Sequence, residues 1–268
     1  MTSASAETDS QLGDIRAYWD KNPLGTQFRV DPSVEVGSPE FFEHIRPHMT
    51  ERFSWIVDLI RENGPKLKGR SLLEIGCGMG FDSAAWAREG LNVSGVDLSP
   101  QSVALARLNV QHSGLEADLK PASALDLPFE DETFDVVYSR GVLHHTGDTP
   151  RAVAEAYRVL KPGGHAFICH LYRRHSWMYY ISRYGREPIE FKEGDPPVTV
   201  FYSVAEVEAM FDKFKDVETH LQHYRALKTL RKGPKAWLYN RIFRPVFNLL
   251  PTAIAKRLAY KISVYARK

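Results

Sequence analysis

A chain of 268 residues, 43% hydrophobic and 12% aromatic, is long enough to bury one large α/β domain with additions and need not be two domains. Its two cysteines, Cys77 and Cys169, cannot frame a small disulfide-bonded fold, no apolar run approaches a membrane span, and the polar first ten residues lack the apolar core of a signal peptide. A cytoplasmic protein, soluble or peripheral to a membrane, is expected. The net charge of +2 is unevenly held, because residues 219–268 carry twelve Lys or Arg and no Asp or Glu, leaving −10 for the first 218; such a tail suits an anionic partner.

Residues 1 to about 13 are small and polar and are expected to be disordered. Tyr18 and Trp19 stand just ahead of the turn signal Asn22-Pro23. Ser38-Pro39 reads as a cap with proline at the first helical position, and a helical pattern resumes after Pro47, runs to Ile60 and closes at Asn63-Gly64. Residues 71–75 are an apolar run that stops in Gly76, Gly78 and Gly80: a buried strand and its exit. A helix is predicted from Phe81 to Arg88, a strand from Asn92 to Asp97, and a helix capped by Ser99-Pro100 that reaches about His112 and ends at Gly114. Phe134–Tyr138 is strand-like, a helix opens at Asp148-Thr149-Pro150 and closes at Pro162-Gly163-Gly164, and a strand follows from His165 to Cys169. Repeating units of this length imply a parallel sheet with right-handed crossovers and ligands at the strands' carboxyl ends. Beyond it, Ser203–Phe214 patterns as an amphipathic helix, Asp216–Tyr224 as a strand, and the alternating Tyr260–Tyr265 as a last strand.

The three glycines leave bare main chain between a strand end and the free N–H groups of a helix start, which makes the turn a cofactor cradle. A nicotinamide or flavin fingerprint needs glycines at positions one, three and six; counted from Gly76 the last is Phe81, so the cradle is a poor pyrophosphate clamp. Asp97 lies 23 residues after Glu74, close to the separation at which a second-strand acid reaches ribose hydroxyls. Glu-Ile-Gly-Cys-Gly-Met-Gly followed by Val-Asp-Leu-Ser resembles the first two motifs of class I S-adenosylmethionine-dependent methyltransferases. The look is that of the small-molecule and quinone-type, methyltransferase-11-like group.

That resemblance covers residues 70 to about 170 and implies a Rossmann-like, seven-stranded, mostly parallel sheet with helices on both faces and a final strand pairing antiparallel. Residues 1–66 would then be a disordered start and a helical lid, 67–225 the core, 226–257 a basic helical insertion and 258–268 the last strand. The cofactor would be S-adenosylmethionine, leaving as S-adenosylhomocysteine, with no metal. Glu74, Gly76, Cys77, Gly78, Gly80, Asp97 and Leu98 match its cofactor motifs. Ser123-Ala124-Leu125 resembles the adenine-side motif, with Ser123 where the family usually has Asp, and Arg140 lies nearby.

Ser139-Arg-Gly-Val-Leu-His-His resembles the segment after the fourth strand, and it lacks the Asn- or Asp-Pro-Pro-aromatic motif of nucleobase amino-methylating relatives; Asp195-Pro-Pro197 falls outside the strand end. Imidazole titrates near neutrality, so His144 and His145 are candidate bases, although neighbours cannot both face a pocket in the same way, and either can be structural. Tyr18, His170, Tyr172 and His175 are candidate acceptor contacts. Histidines scattered this way have no metal-ligand spacing. The insertion, dotted with Trp237, Tyr239, Phe243, Phe247, Leu249 and Leu250 and interrupted by Pro245 and Pro251, reads as a solvated cap, as contact with an anionic membrane or lipid-like acceptor, or as a nucleic-acid contact, the least favoured. The function implied is methyl transfer to a small, apolar or lipid-like acceptor such as a quinone, isoprenoid or other natural product. The alternatives are a cofactor-binding module without chemistry and an RNA-contacting methyltransferase.

Overall fold

The computed structural model describes residues 3–28, 31–52, 54–185, 196–222 and 237–268. Its strands are β1 (Ser71–Ile75), β2 (Asn92–Asp97), β3 (Asp118–Pro121), β4 (Phe134–Arg140), β5 (Leu160–Arg173), β6 (Phe201–Tyr202), β7 (Lys215–Gln222) and β8 (Lys261–Arg267). They form one sheet in the order β3-β2-β1-β4-β5-β8-β7, parallel through β5, with β8 antiparallel to both β5 and β7. This is the expected seven-stranded arrangement; the two-residue β6 adds a short parallel pairing to the end of β5.

Residue-by-residue alternation divides the core between the two faces of the sheet. Leu73, Ile75 and Val137 pack on Ala152, Val153 and Ala156, which belong to the helix Thr149–Val159. Leu72, Val136 and Tyr138 pack on the opposite face, under Phe41, Ile45, Ile56, Ile60 and Trp86. Burying each such side chain contributes about 1.5–3 kcal/mol. The helices in chain order are α1 (Ser3–Lys21), α2 (Pro39–Arg52), α3 (Ser54–Leu67), α4 (Phe81–Arg88), α5 (Pro100–His112), α6 (Thr149–Val159), α7 (Trp177–Gly185) and α8 (Val204–Met210).

Several expected boundaries move. The start, read as disordered to about residue 13, is helical from Ser3, because α1 buries Ile15 and brings Leu12 and Trp19 against the body. The helix start expected at Ser38-Pro39 is there, with the Ser38 hydroxyl accepting from the Phe41 N–H, but Pro47 lies inside that helix, held by the buried stripe Phe41, Phe42, Ile45 and Met49, and the pattern expected from Pro47 to Ile60 is divided between α2 and α3. Gly64 does not end α3, which runs on to Leu67. A Cβ there would lie 2.6 Å from the Glu89 side chain, so this glycine permits a close approach. Helix α6 stops at Val159, and Pro162-Gly163-Gly164 lie within the irregular first part of β5, where the register to β4 shifts. Helix α8 stops at Met210, short of Phe214; Ser203 and Glu206 form a capping box at its start.

In the C-terminal segment a π turn at Tyr239–Phe243 continues directly into a helix at Arg244–Leu249, so Pro245 does not break it: the wider turn relieves the clash of its ring with the carbonyl four residues back. Pro251 does end it. Asp195, Tyr224 and the basic residues Arg225, Lys228, Arg231, Lys232 and Lys235 lie outside the described residues.

Candidate functional site

The turn from β1 to α4 is pinned by main-chain bonds. The N–H groups of Gly76 and Cys77 both donate to Val96 O, at 2.7 and 3.0 Å, and Asn109 Nδ2 donates to Met79 O at 2.8 Å. Each glycine has a different reason. Gly76 has φ 79°, and a Cβ there would lie 2.1 Å from Val142 Cγ2; Gly80, the left-handed cap of α4, would carry a Cβ 3.0 Å from Ala106 Cα. Gly78, with φ 52°, has open space where its Cβ would be. The bare backbone at Gly78 therefore faces a cavity and not a neighbouring element.

Asp97 stands opposite. Its Oδ2 accepts from Gly78 N–H and its Oδ1 from Ser99 N–H, both at 2.9 Å, so one carboxylate ties the β1 turn to the β2 turn. Burial raises its pKa, and those two N–H donors act against the rise. Glu74 is buried below the turn and accepts from the Ser83 hydroxyl; burial and the nearby Asp82 push its pKa well above the ordinary carboxylate value. Asp82 itself accepts from Tyr138 Oη at 2.7 Å and Arg140 Nε at 2.5 Å. The pairing outweighs burial at Arg140 and raises its pKa, keeping a guanidinium at the cavity edge. Burial pushes the Cys77 thiol well up and Cys169 up to about 12, so both stay protonated.

The cavity holds about 970 Å³ of empty space, its open mouth included. Glu74, Gly76, Cys77, Gly78, Asp97, Leu98, Ser123, Ala124, Arg140 and His145 all line it. Gly80 shapes the turn from behind. Leu125 does not line the cavity: it is buried in the core, with its N–H donating to Ser123 Oγ at 3.1 Å, and Ala122 takes the place at the wall.

The histidine pair splits. The His145 ring lies on the cavity side, 5.5 Å from the Trp19 ring, with Nδ1 2.8 Å from Val198 O. His144 turns away into the protein, 4.2 Å from the Tyr172 ring, and neither of its ring nitrogens has a hydrogen-bond partner among the described residues. Burial above all, with His145 and Lys261 nearby, drives its pKa well below the ordinary value, so it is a neutral buried ring. None of Tyr18, His170, Tyr172 and His175 lines the cavity. His170 is buried, with Nδ1 2.8 Å from Lys261 Nζ and its ring 4.5 Å from Trp55; Tyr172 is buried behind His144; His175 is exposed beside Tyr179 and Tyr180.

Sequence reasoning expected a helical lid within residues 1–66 but did not name the residues of it that line the cavity. Leu12, Ile15 and Trp19 of α1, with Leu24 and Met49, close the cavity from above. The three-then-four spacing of 12, 15 and 19 was the available signal. The end of α1 is fastened by Asp20, whose Oδ1 accepts from Ser99 Oγ at 2.7 Å and Gln101 N–H at 3.3 Å. Among the described residues no group of three or more His, Cys, Asp or Glu could hold a metal ion, and no helix is long and apolar enough to cross a membrane.

The chain is similar to known proteins in both sequence and fold. Residues 73–168 match the family described as Methyltransferase domain. The chain is 36% identical over 120 residues to a protein of Cereibacter sphaeroides named ubiquinone biosynthesis O-methyltransferase, covering 45% of this chain and 48% of that one. A Pseudomonas aeruginosa protein of the same name is 34% identical over 139 residues, covering 52% and 57%. The chain thus spans about half the length of the curated relatives it matches. Among solved structures, the [4+2]-cyclase SpnF superposes with a TM-score of 0.60 at 19% identity, over 95% of this chain and 94% of that one. The YcgJ protein of Bacillus subtilis gives 0.58 at 20% identity, over 80% and 98%. At such identity these structures establish the fold.

Proposed function

We propose that this chain, which carries a class I S-adenosylmethionine-dependent methyltransferase domain, moves a methyl group from that cofactor to a small, apolar or lipid-like acceptor. One observation carries the reading: open backbone at Gly78 opposite the Asp97 carboxylate, at the foot of a cavity roofed by Leu12, Ile15, Trp19 and Met49. The residues fit a nucleoside with a charged amino-acid end. Asp97 offers carboxylate oxygens to ribose hydroxyls, the Gly76–Gly80 turn leaves room for the chain, Ala122, Ser123 and Ala124 flank the base, and Arg140 keeps positive charge at the cavity edge. The cofactor, when bound, supplies an electrophilic methyl group on a sulfonium.

The chain's own task is alignment and exclusion of water, which the apolar roof serves. His145 is the candidate base. A carbonyl can only accept, so Val198 O fixes the hydrogen on Nδ1 and places the lone pair on Nε2, a buried atom that an acceptor hydroxyl would have to enter beside to give up its proton. The names of the matched relatives support a phenol-like acceptor of the quinone-precursor kind. An acceptor of that class would be presented at a membrane surface.

Isothermal titration with S-adenosylhomocysteine tests the cofactor reading, and absence of binding would sink it. Isotope-labelled cofactor in a cell extract, read by mass spectrometry, tests transfer; a protein that binds but labels nothing is a binding module instead. His145→Ala is expected to lower turnover about 10²-fold or more with cofactor affinity unchanged. Intact turnover in that variant would remove His145 as the base.

A further inference from the structure

Residues 237–249 carry apolar side chains on two faces. Tyr239, Phe243 and Phe247 recur every four residues, with ring contacts of 5.3 and 5.2 Å along the segment, and Phe247 is 1% exposed, 5.6 Å from the Trp177 ring. One residue out of step, Leu238, Ile242 and Val246 recur at the same interval and point outward together with Leu249; Val246 is 56% and Leu249 84% exposed. Arg241, within the same segment, and Arg257, eight residues beyond its end, are also exposed. The inner face needs no further partner, whereas a contiguous outer stripe of this kind marks a contact site.

Charge decides among occupants. Residues 219–268 hold twelve Lys or Arg and no carboxylate. A second copy would bring a like-charged segment against this one. Nucleic acid supplies negative charge but offers no apolar depth to four aliphatic side chains. We propose that this stripe docks the protein on an anionic phospholipid bilayer, with Leu238, Ile242, Val246 and Leu249 entering the boundary between headgroups and acyl chains and the arginines held at the phosphates. The inner face of the same segment joins the ring cluster behind His145: Trp177 lies 5.5 Å from Tyr260, Tyr260 6.1 Å from Tyr172, and Tyr172 4.2 Å from His144. The use of docking for catalysis rests on the lipid-like acceptor reading; the docking itself does not.

The test is co-sedimentation of the full chain with vesicles of phosphatidylcholine alone or mixed with phosphatidylglycerol, over a range of salt. Binding is expected only with phosphatidylglycerol present, weakening as salt rises, and Ile242→Glu combined with Leu249→Glu is expected to weaken it about tenfold or more. Arg241→Glu is expected to weaken it less, through charge alone. Unchanged S-adenosylhomocysteine affinity shows that the variants are folded, and it reports on the cofactor reading separately. The proposal is overturned by failure to sediment with anionic vesicles, by undiminished binding of the double variant, or by sedimentation velocity showing that the same substitutions dissolve a dimer.

Discussion

The floor of the cavity, from Gly76 to Gly80, is fastened by main-chain hydrogen bonds to β2, whereas the roof, from Leu12 to Leu24, rests on apolar side chains and the bond between Asp20 and Ser99. At Gly76 and Gly80, a floor built on backbone tolerates almost no added atom. A roof built on side-chain burial is expected to yield in small steps.

The largest effect should come from the floor. Gly76→Ala places a Cβ 2.1 Å from Val142 Cγ2 at a positive φ of 79°; overlap and left-handed strain together cost about 2–5 kcal/mol. Thermal melts check this, and an unchanged melting temperature would show that the turn is looser than drawn. Asp97→Ala leaves the N–H groups of Gly78 and Ser99 without their carboxylate and removes the acceptor for ribose. Its expected loss of about 1.5–3 kcal/mol is roughly 10- to 100-fold in S-adenosylhomocysteine Kd, read by titration. Equal affinity would mean that the cofactor lies elsewhere.

On the roof, Trp19→Ala should cost about 1 kcal/mol of cofactor affinity, expressed as faster dissociation in stopped flow with the melting temperature nearly unchanged. A loss as large as that of Asp97→Ala would erase the distinction between the two regions. The last effect is one of pH and concerns Glu74. Its pKa is raised in the fold, so the protonated form is favoured there; the stability it contributes is whole below its ordinary 4.5 and erodes as pH climbs toward the raised value. Glu74→Gln keeps an acceptor for Ser83 without the charge. It should be more stable than the parent near pH 8 and no more stable near pH 4. The same gain at both values would assign the effect to packing.

The same division explains what the sequence made legible. Alternate glycines after an apolar run, and an acid ending the next strand, are local signals, and they located nearly the whole floor. The roof helix draws its stability from Ile15 and its neighbours meeting the body, and its polar opening residues say nothing of that. Gly64 looks like a stop because the Glu89 side chain that requires it is distant in sequence. Leu125 was read as a cavity residue because a motif gives its order and not its side; the turn held by Ser123 Oγ rotates it inward. Which of His144 and His145 meets the cavity depends on the short turn at Leu143–His145, where neighbouring side chains diverge.

Ser99 is wholly buried and serves three masters: its N–H holds Asp97, its hydroxyl caps α5 through Ser102 N–H, and the same hydroxyl donates to Asp20 at the end of α1. A sugar bound at Asp97, as proposed above, would lie two residues from the hydroxyl that fastens the end of α1. On that reading, filling the nucleoside site and fastening the roof would be linked through one serine.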